Sequence, residues 1–287
     1  MSGSPVPGAL VLIATPIGNL GDLSSRAAEE LATASLICCE DTRRTGRLLA
    51  HLGLTGRRLR RVDDHTEAAA VDDVVARIGA GERVALVSDA GTPGISDPGA
   101  RLVAGVIAAG HPVTVVPGPV AAVAALVASG AVTDRFVFEG FLPRKGRERR
   151  RRLAEIATES RTVVLYESPK RIGSTLEALI EVCGGDRRAT IAREITKLHE
   201  EFVRGSLAEL SGWAATPPKG EIVVVIEGAP AMPDATDEAI VAALTTELAG
   251  GASRRDATAA VAELLGVGHR RTYELAIGIP GSVTPPS

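Results

Sequence analysis

Short apolar runs alternate with amphipathic segments along the first half of the chain, and this alternation restricts the fold more than any other feature. The apolar runs lie at residues 9–14, 36–39, 84–87 and 113–116. Between them, apolar side chains recur three and four residues apart, as in residues 71–78, which is the spacing of a helix face. Apolar strands that alternate with helices are buried on both faces, so we predict a mostly parallel α/β sheet.

The second half of the chain repeats the alternation, with shorter gaps between its last strands. Strands are predicted at residues 136–139, 163–166, 189–192, 201–204 and 222–226. Helices are predicted at residues 147–158, 168–182 and 207–214. Ser168 would cap the second of these helices, with Pro169 in its first turn. Because short connections favour antiparallel pairing, this second sheet is predicted to be mixed.

These patterns predict two α/β domains followed by a small helical appendage. The predicted parts are an N-terminal domain at 1–131, a C-terminal α/β domain at 132–228, a Pro- and Ala-rich linker at 229–236, helices at 237–281 and a tail at 282–287. Within the appendage, Ser253 is predicted to cap the N-terminus of a helix, with Asp256 three residues later.

Composition and charge exclude several classes of protein. A hydrophobic content of 45% and a net charge of −3 are typical of a folded chain and not of a disordered one. No apolar run reaches the roughly 18 residues of a membrane span, and the N-terminus lacks the pattern of a secretory signal. The three cysteines and five histidines have no metal-ligand spacing. We therefore expect a cytoplasmic protein that binds neither membrane nor metal.

Turns rich in glycine and proline follow several predicted strands, at residues 14–21, 88–99, 116–119 and 139–143. In an open α/β sheet, ligands bind beyond the carboxyl ends of the strands, and such turns let the main chain approach a ligand. The first turn lacks G-x-G-x-x-G, and G-x-x-x-x-G-K-[ST] occurs nowhere, which disfavours a Rossmann enzyme and a P-loop NTPase. The turns therefore predict an adenosine-like or other organic ligand, and ordinary tight turns are the alternative.

Charged residues also gather at strand ends and in one run. In residues 40–44, either Asp41 or Thr42 caps a helix, or the carboxylates serve as acid and base beside two arginines. A second mixed-charge group lies at 193–197. The run 144–152 holds seven positive charges and one negative charge, and it is either a solvated helix face or a surface for an anionic polymer.

Together these motifs resemble the bacterial 16S ribosomal RNA (cytidine 2′-O)-methyltransferase family of the tetrapyrrole methylase superfamily. The matching segments are 14–20, 40–43, 88–98, 116–119, 139–141, 166–169 and 192–197. The resemblance implies a two-domain class III methyltransferase fold, with S-adenosylmethionine in the cleft between the domains. It also implies a homodimer without a metal that methylates a decoding-centre (P-site) cytidine in 16S ribosomal RNA or the 30S subunit.

The resemblance further implies the residues that contact the cofactor. They are Pro16, Asp89, Ala90, Gly91, Thr92, Ile95, Pro119, Val120, Ala121, Ala122, Tyr166, Ala192 and Glu221. The candidates for activating a ribose hydroxyl are Glu40, Asp41 and Glu194, among which the sequence does not choose. RNA contacts are predicted at Arg43, Arg44, Lys145, Arg147, Arg149, Arg150, Arg151, Arg152 and Lys197. Because aromatic residues make up only 2% of the chain, recognition through phosphates and RNA shape is expected instead of extended base stacking.

Two other functions remain open from the sequence. A small-molecule methylase of the same superfamily, acting on a corrin or another tetrapyrrole, would explain the turns and the fold. It would not explain the arginine run or the segment 40–43. A non-enzymatic module that binds nucleotides or RNA would explain the basic clusters but not several Gly/Pro turns at one sheet edge.

Overall fold

The computed structural model describes residues 8–230 and 235–279, and the chain divides into two compact units after Ala229. Both predicted α/β domains belong to the first unit, so the boundary at 131/132 stays a prediction. Residues 231–234 of the predicted linker, the last two residues of the predicted helical appendage and the predicted tail at 282–287 lie outside the described residues, as do residues 1–7.

Five parallel strands form the first sheet. They are β1 (Ala9–Ile13), β2 (Leu36–Cys39), β3 (Leu59–Arg61), β4 (Arg83–Val87) and β5 (Val113–Val116). Their order across the sheet is β3-β2-β4-β1-β5. The runs predicted from the sequence form four of these strands, while β3 was not predicted. This parallel sheet confirms the predicted architecture of the first half.

Helices cover both faces of the first sheet. They are α1 (Ser25–Thr33), α2 (Thr42–His51), α3 (Glu67–Gly79) and α4 (Ala100–Ala108). Apolar side chains of α3 and α4 pack on one face, and those of α1 and α2 pack on the other. Because both faces are covered, β1 and β2 consist of apolar residues, β4 is apolar after Arg83, and nearly all of these apolar residues are buried.

The strand order opens a crevice at the carboxyl ends of β1 and β4. From β1 the chain crosses towards β2, whereas from β4 it crosses to β5 on the opposite side. The two connections therefore leave in opposite directions, which is where open α/β sheets bind their ligands. Main-chain bonds tie the two loops together there, since the Thr15 N–H donates to the Gly91 carbonyl at 2.9 Å and the Gly91 N–H donates to the Thr15 carbonyl at 3.0 Å.

The second sheet is mixed, as predicted. Its strands are β6 (Phe136–Phe141), β7 (Thr162–Glu167), β8 (Arg188–Arg193), β9 (Glu201–Ser206) and β10 (Ile222–Ile226), in the order β6-β7-β10-β8-β9. Only the pair β6–β7 within this sheet is parallel, and the other three pairs are antiparallel. The strand β10 is buried along its whole length in the centre of this sheet.

Four helices pack against the second sheet. Helix α5 (Ala121–Ser129) lies on one face, and α6 (Arg147–Thr158), α7 (Ile172–Cys183) and α8 (Leu207–Trp213) lie on the other. The prediction that Ser168 caps α7 was wrong. The Ser168 carbonyl instead accepts hydrogen bonds from the N–H groups of Arg171 and Ile172, so a turn precedes the helix.

The described part of the second unit folds into helices, as predicted. They are α9 (Asp237–Ala249), α10 (Arg254–Leu265) and α11 (His269–Ile277), around a core that includes Ile240, Leu244 and Val261. The predicted cap is confirmed, because the Ser253 hydroxyl accepts from the Asp256 N–H at 3.2 Å. None of the helices in the described parts of either unit is long and apolar enough to cross a membrane.

Candidate active site

A cavity of about 300 Å³ lies in the first unit, where loops from both sheets meet. Its walls come from the loops that follow β1, β4 and β8, the start of α5, the carboxyl ends of β6 and β7, and the start of β10. The lining residues are Ile17, Ala90, Gly91, Thr92, Ile95, Ser96, Asp97, Val120, Ala121, Phe141, Tyr166, Glu167, Ser168, Pro169, Ile195, Gly220, Glu221, Ile222 and Val223. Small-molecule sites have this character, with mostly apolar walls and a few polar groups.

The structure brings most of the predicted cofactor contacts to this cavity. Those that line it are Ala90, Gly91, Thr92, Ile95, Val120, Ala121, Tyr166 and Glu221. Those that do not line it are Pro16, Asp89, Pro119, Ala122 and Ala192. Pro119 and Ala122 lie directly behind the wall, because the Pro119 carbonyl accepts from the Thr92 hydroxyl and the Ala122 N–H donates to the Tyr166 phenol oxygen.

Several lining residues were not predicted from the sequence. They are Ile17, Ser96, Asp97, Phe141, Glu167, Ser168, Pro169, Ile195, Gly220, Ile222 and Val223. Gly220, Ile222 and Val223 lie outside the motifs singled out at strand ends. The other residues of this set belong to those motifs. The motifs were therefore the available signal, while the side chains that face the cavity depend on how the loops fold.

An aromatic cluster fixes one wall of the cavity. The ring of Tyr166 packs against Phe138 and Phe141, with centroid distances of 5.0 and 5.5 Å. Burial raises the pKa of the Tyr166 phenol, which therefore stays protonated at neutral pH. Its oxygen accepts the hydrogen bond from the Ala122 N–H at 3.2 Å, which ties β7 to the start of α5.

The loop at 88–99 forms another wall and is held in place from behind. The buried carboxylate of Glu67 accepts hydrogen bonds from the N–H groups of Gly99 at 3.1 Å and Leu102 at 2.9 Å. Within the loop, Ser96 has a left-handed backbone with φ 60°. Such a conformation is unfavourable for a residue other than glycine and is found most often at functional sites.

A second, polar cavity of about 340 Å³ adjoins the first. It is lined by Glu40, Arg61, Asp63, Asp64, His65, Ser96, Asp97 and Pro98. Ser96 and Asp97 line both cavities. Burial, together with the neighbouring Glu40 carboxylate, raises the pKa of Asp97 to about 6. Burial and the charge of Asp89 also raise the pKa of Glu40.

The three predicted catalytic candidates are not brought together. The Asp41 carboxylate caps α2 by accepting from the Arg43 N–H at 2.8 Å, and its bonds to Arg43 lower its pKa. The Glu194 carboxylate accepts from Lys197 at 2.7 Å, which lowers its pKa, and also accepts from the Glu221 N–H. Glu40 lies on the polar cavity alone.

The predicted RNA contacts divide into engaged and exposed side chains. Arg149 donates to the Pro143 carbonyl and the Thr175 hydroxyl, and Arg152 pairs with Glu139. Other engaged pairs are Arg43 with Asp41, Arg44 with Asp89, Arg151 with Glu148 and Glu155, and Lys197 with Glu194 and Glu221. Lys145, Arg147 and Arg150 are exposed.

Cysteine and metal chemistry find no support in the described residues. Cys38 and Cys39 are buried in β2, and burial raises the pKa of the Cys38 thiol to about 12. A thiol with such a pKa is not a nucleophile at neutral pH. Residues 8–230 and 235–279 contain no group of three or more His, Cys, Asp or Glu side chains arranged to hold a metal ion.

Comparisons with known proteins agree with this geometry. The family model of the tetrapyrrole (corrin/porphyrin) methylases matches residues 9–211. A ribosomal RNA small subunit methyltransferase I from Synechocystis sp. is 45% identical over 273 residues, which are 94% of this chain and 98% of that protein. The chain belongs to the ribosomal RNA small subunit methyltransferase I family. A relative of the same name from Mycobacterium tuberculosis is 48% identical over 269 residues, 93% of this chain and 94% of that protein.

Solved structures show the same fold at lower identity. A uroporphyrin-III C-methyltransferase from Thermus thermophilus, complexed with S-adenyl homocysteine, has a TM-score of 0.52 and 19% identity, covering 76% of this chain and 96% of that chain. This likeness confirms the tetrapyrrole methylase fold.

Family membership makes the chain a methyltransferase, as predicted, and S-adenosylmethionine is the methyl donor of the family. A purely RNA-binding, non-enzymatic module is therefore set aside.

Proposed function

We propose that this chain transfers the methyl group of S-adenosylmethionine to the 2′-hydroxyl of the decoding-centre (P-site) cytidine in 16S ribosomal RNA. The observation that supports this most strongly is the pair of adjoining cavities, one mainly apolar and one lined by acidic groups, that share Ser96 and Asp97. Transfer between two bound molecules needs such an arrangement, because the reacting atoms must approach within about 3–3.5 Å.

The apolar cavity fits the methyl donor. The donor supplies an electrophilic methyl group on a positively charged sulfur. Aliphatic side chains such as Ile95, Val120 and Ile195 offer a surface for the adenine ring, and the carboxylate of Glu221 offsets positive charge. We propose that all the residues predicted from the sequence to contact the cofactor take part in binding it. Pro119 and Ala122 would act indirectly, through their hydrogen bonds to Thr92 and Tyr166.

The polar cavity fits a nucleoside better than a tetrapyrrole. Carboxylates such as Glu40, Asp63 and Asp64 accept hydrogen bonds, and both ribose hydroxyls and the cytosine amino group donate them. Tetrapyrroles of the uroporphyrin type carry several carboxylates, which the like charge of this cavity would repel. The acidic lining therefore counts against a small-molecule substrate of that type.

The exposed basic side chains would hold the RNA backbone. Lys145, Arg147 and Arg150 project from α6 and the segment before it, and Arg44 lies near the polar cavity beside Asp89. Phosphate contacts of this kind supply affinity that falls as salt concentration rises. The proposed partner is the 16S RNA in the 30S subunit, which places the enzyme in the cytoplasm.

We also propose that the chain forms a homodimer. An apolar face on α5 and the segment before β6 supports this, since Val127 is 66% and Val132 is 68% exposed and Val123 and Phe136 are also exposed. Contiguous exposed apolar residues are typical of protein interfaces. Light scattering should give the mass of a dimer for the wild type and of a monomer for Val127→Glu.

One experiment separates the possible substrates. The protein is incubated with methyl-labelled S-adenosylmethionine and 30S subunits, naked 16S RNA or uroporphyrinogen, and labelled RNA is digested to nucleosides. We expect 2′-O-methylcytidine from a single position. Label on the tetrapyrrole alone, or on a base instead of a ribose, would contradict the proposal.

A variant pair tests the RNA contacts. Replacing Arg147 and Arg150 together by Glu should weaken RNA binding by about tenfold or more and leave the cofactor affinity unchanged. The matched control is Arg101→Glu, since Arg101 is an exposed arginine of α4 outside the predicted contacts. Equal loss of RNA affinity in the control would show that total charge, and not this surface, determines binding.

A further inference from the structure

We propose that Asp97 accepts the proton of the ribose 2′-hydroxyl during methyl transfer. This inference rests on the proposed function and assigns a role that neither the motifs nor the family resemblance gave to this residue. Its basis is position, because Asp97 lies on the wall that the apolar cavity and the polar cavity share.

The reaction requires a proton acceptor at that boundary. A ribose hydroxyl is a weak nucleophile at neutral pH, and a general base must lie within hydrogen-bond reach of the proton it removes. The methyl donor occupies one cavity and the nucleoside the other, so the hydroxyl and the methyl group meet where the cavities join. Ser96 and Asp97 are at this junction, and of the two only Asp97 has an ionisable side chain.

The other carboxylates that line the apolar cavity are already engaged. The side chain of Glu167 is 0% exposed, and it accepts from the Ser168 N–H at 2.7 Å and the Thr175 hydroxyl at 2.6 Å and pairs with Arg171. Glu221 pairs with Lys197 at 2.9 Å and is largely exposed to solvent. Neither carboxylate combines access to the junction with freedom from a partner.

The candidates suggested by the motifs are less suitable. Arg43 and Lys197 stabilise the carboxylates of Asp41 and Glu194, and a stabilised carboxylate is a weaker base. Glu40 lines the polar cavity but not the apolar one. Its charge acts on Asp97, whose affinity for a proton it increases.

The surroundings of Asp97 favour a base that works near neutral pH. Burial is the main reason that its pKa is raised to about 6, with the charges of Glu40 and Asp89 adding to it and the Ser88 hydroxyl opposing it. The other titratable groups that line the two cavities are Tyr166, Glu167 and Glu221 in the apolar one and Arg61, Asp63, Asp64 and His65 in the polar one. A base is most effective when its pKa lies near the working pH.

The backbone holds Asp97 in a defined position. Ser96 before it has the left-handed conformation, and Gly99 after it, with φ 136°, is anchored to Glu67. Pro98 limits Asp97 itself to an extended backbone. These constraints fix the backbone from which the Asp97 side chain extends, and a catalytic group requires such positioning.

The 2′-hydroxyl oxygen forms a bond to the methyl carbon, the bond between that carbon and sulfur breaks, and its electron pair stays on the sulfur, which becomes a neutral thioether. The hydroxyl proton passes to the Asp97 carboxylate, which later releases it to water. No oxidant, reductant or metal takes part.

The test is the single-turnover rate of methyl transfer to 30S subunits between pH 5 and pH 9, with cofactor bound in advance. The wild-type rate should rise tenfold per pH unit and level off above about pH 6. Asp97→Asn should lower the rate at pH 8 by about 100-fold or more, and the remaining rate of this variant should not level off above about pH 6. Cofactor and RNA affinities, measured separately, should change by less than about threefold.

Two further variants keep the test decisive. Asp186→Asn, the same change at an exposed turn residue, should leave the rate and its pH profile unchanged. Glu40→Gln should shift the levelling to lower pH, because Asp97 loses a neighbouring charge, without abolishing it. If Glu40→Gln alone removes the pH dependence, or Asp97→Asn keeps a rate within tenfold of wild type, the inference is wrong.

The outcomes also separate this inference from the proposed function. Absence of methyl transfer to 30S RNA by the wild type overturns both. Transfer by the wild type that Asp97→Asn leaves intact overturns the role of Asp97 alone. Loss of cofactor binding equal to the loss of rate in Asp97→Asn would instead assign the residue to cofactor binding and also contradict its role as base.

Discussion

Two loops that face the same cavity place one carboxylate each, Asp97 and Glu194, in opposite electrostatic environments. The loop at 88–99 follows β4, and the charged neighbours that act on Asp97 there are the carboxylates of Glu40 and Asp89. The loop at 194–200 follows β8, and in it Glu194 pairs with Lys197 at 2.7 Å. The pKa of Asp97 is raised to about 6, whereas that of Glu194 is lowered.

The difference shows how one residue type serves two purposes. Both loops have left-handed residues other than glycine, namely Ser96 in the first and Glu194 and Thr196 in the second. Strain alone therefore does not distinguish a reactive loop from a structural one. The partner of the carboxylate distinguishes the two kinds of loop. An ion pair stabilises the folded state, whereas an unpaired, partly buried carboxylate destabilises it and retains its basicity.

The largest effect is expected where a partnered carboxylate is fully buried. Glu167→Ala would leave Arg171 and the Ser168 N–H without their partner, so the free energy of unfolding should fall by about 3–5 kcal/mol. Urea denaturation measures the change. Glu177→Ala, on the exposed face of α7, is the control and should stay within about 0.5 kcal/mol of wild type. A small effect of Glu167→Ala would mean that pairing does not determine which carboxylates stabilise this fold.

The next effect concerns the loop after β8, in which Lys197 pairs with Glu194. Lys197→Met removes the cation that bonds to Glu194 and Glu221, and we expect a loss of about 2 kcal/mol at pH 7. Because the folded-state pKa of Glu194 is lowered, this stabilisation is present above about pH 4.3 and is lost as the pH falls through the folded pKa. The difference between variant and wild type should therefore shrink on acidification, and Lys170→Met should show no such trend.

The carboxylate of Asp97, which has no ion-pair partner among the described residues, should show the opposite dependence on pH. The folded-state pKa of Asp97 is raised, so its contribution to stability is fully present below about pH 4 and is lost as the pH rises through about 6. Asp97→Asn removes this dependence. Its stability relative to wild type should increase by about 1–2 kcal/mol between pH 4 and pH 7, a value reduced for solvent screening of a partly exposed group. A decrease over that range would show that a cation reaches Asp97 in solution.

Much of the fold was predictable because local patterns determine it. The apolar runs that alternate with helical segments predicted most strands, and β3 was missed because its three residues include two arginines. The placement of β10 between β7 and β8 was not predictable, since it depends on pairing between distant segments. Ser168 misled the prediction because a serine before a proline is typical of a helix start, whereas here Glu167 holds the Ser168 N–H in a turn.

The candidate site was predictable as a place but not as a set of interactions. The Gly/Pro turns at strand ends predicted the location of the site, and the family resemblance then implied the wall residues Gly91 and Thr92. Asp97 could not be distinguished, because its environment comes from burial and from Glu40, which follows β2. In the same way Arg152 belongs to a dense basic run, and its pairing with Glu139 depends on tertiary contacts. Charge runs predict a surface, and only packing decides which members stay available to a partner.

The smallest effect tests whether a hydrogen bond connects the loop after β8 to the rest of the cavity. The Thr196 hydroxyl donates to the Asp22 carboxylate at 2.7 Å, which links the loop after β8 to the short helix at Leu20–Asp22 after β1. Thr196→Val keeps the shape and removes the bond, so stability should fall by about 1 kcal/mol. Thr196→Ser retains the hydroxyl and should restore most of the loss. Since neither Thr196 nor Asp22 is among the groups that act on Asp97, the Val variant should weaken cofactor binding without changing the pH profile of the single-turnover rate. A shifted profile would mean that the two loops act as one unit, and the contrast between them would then be structural instead of catalytic.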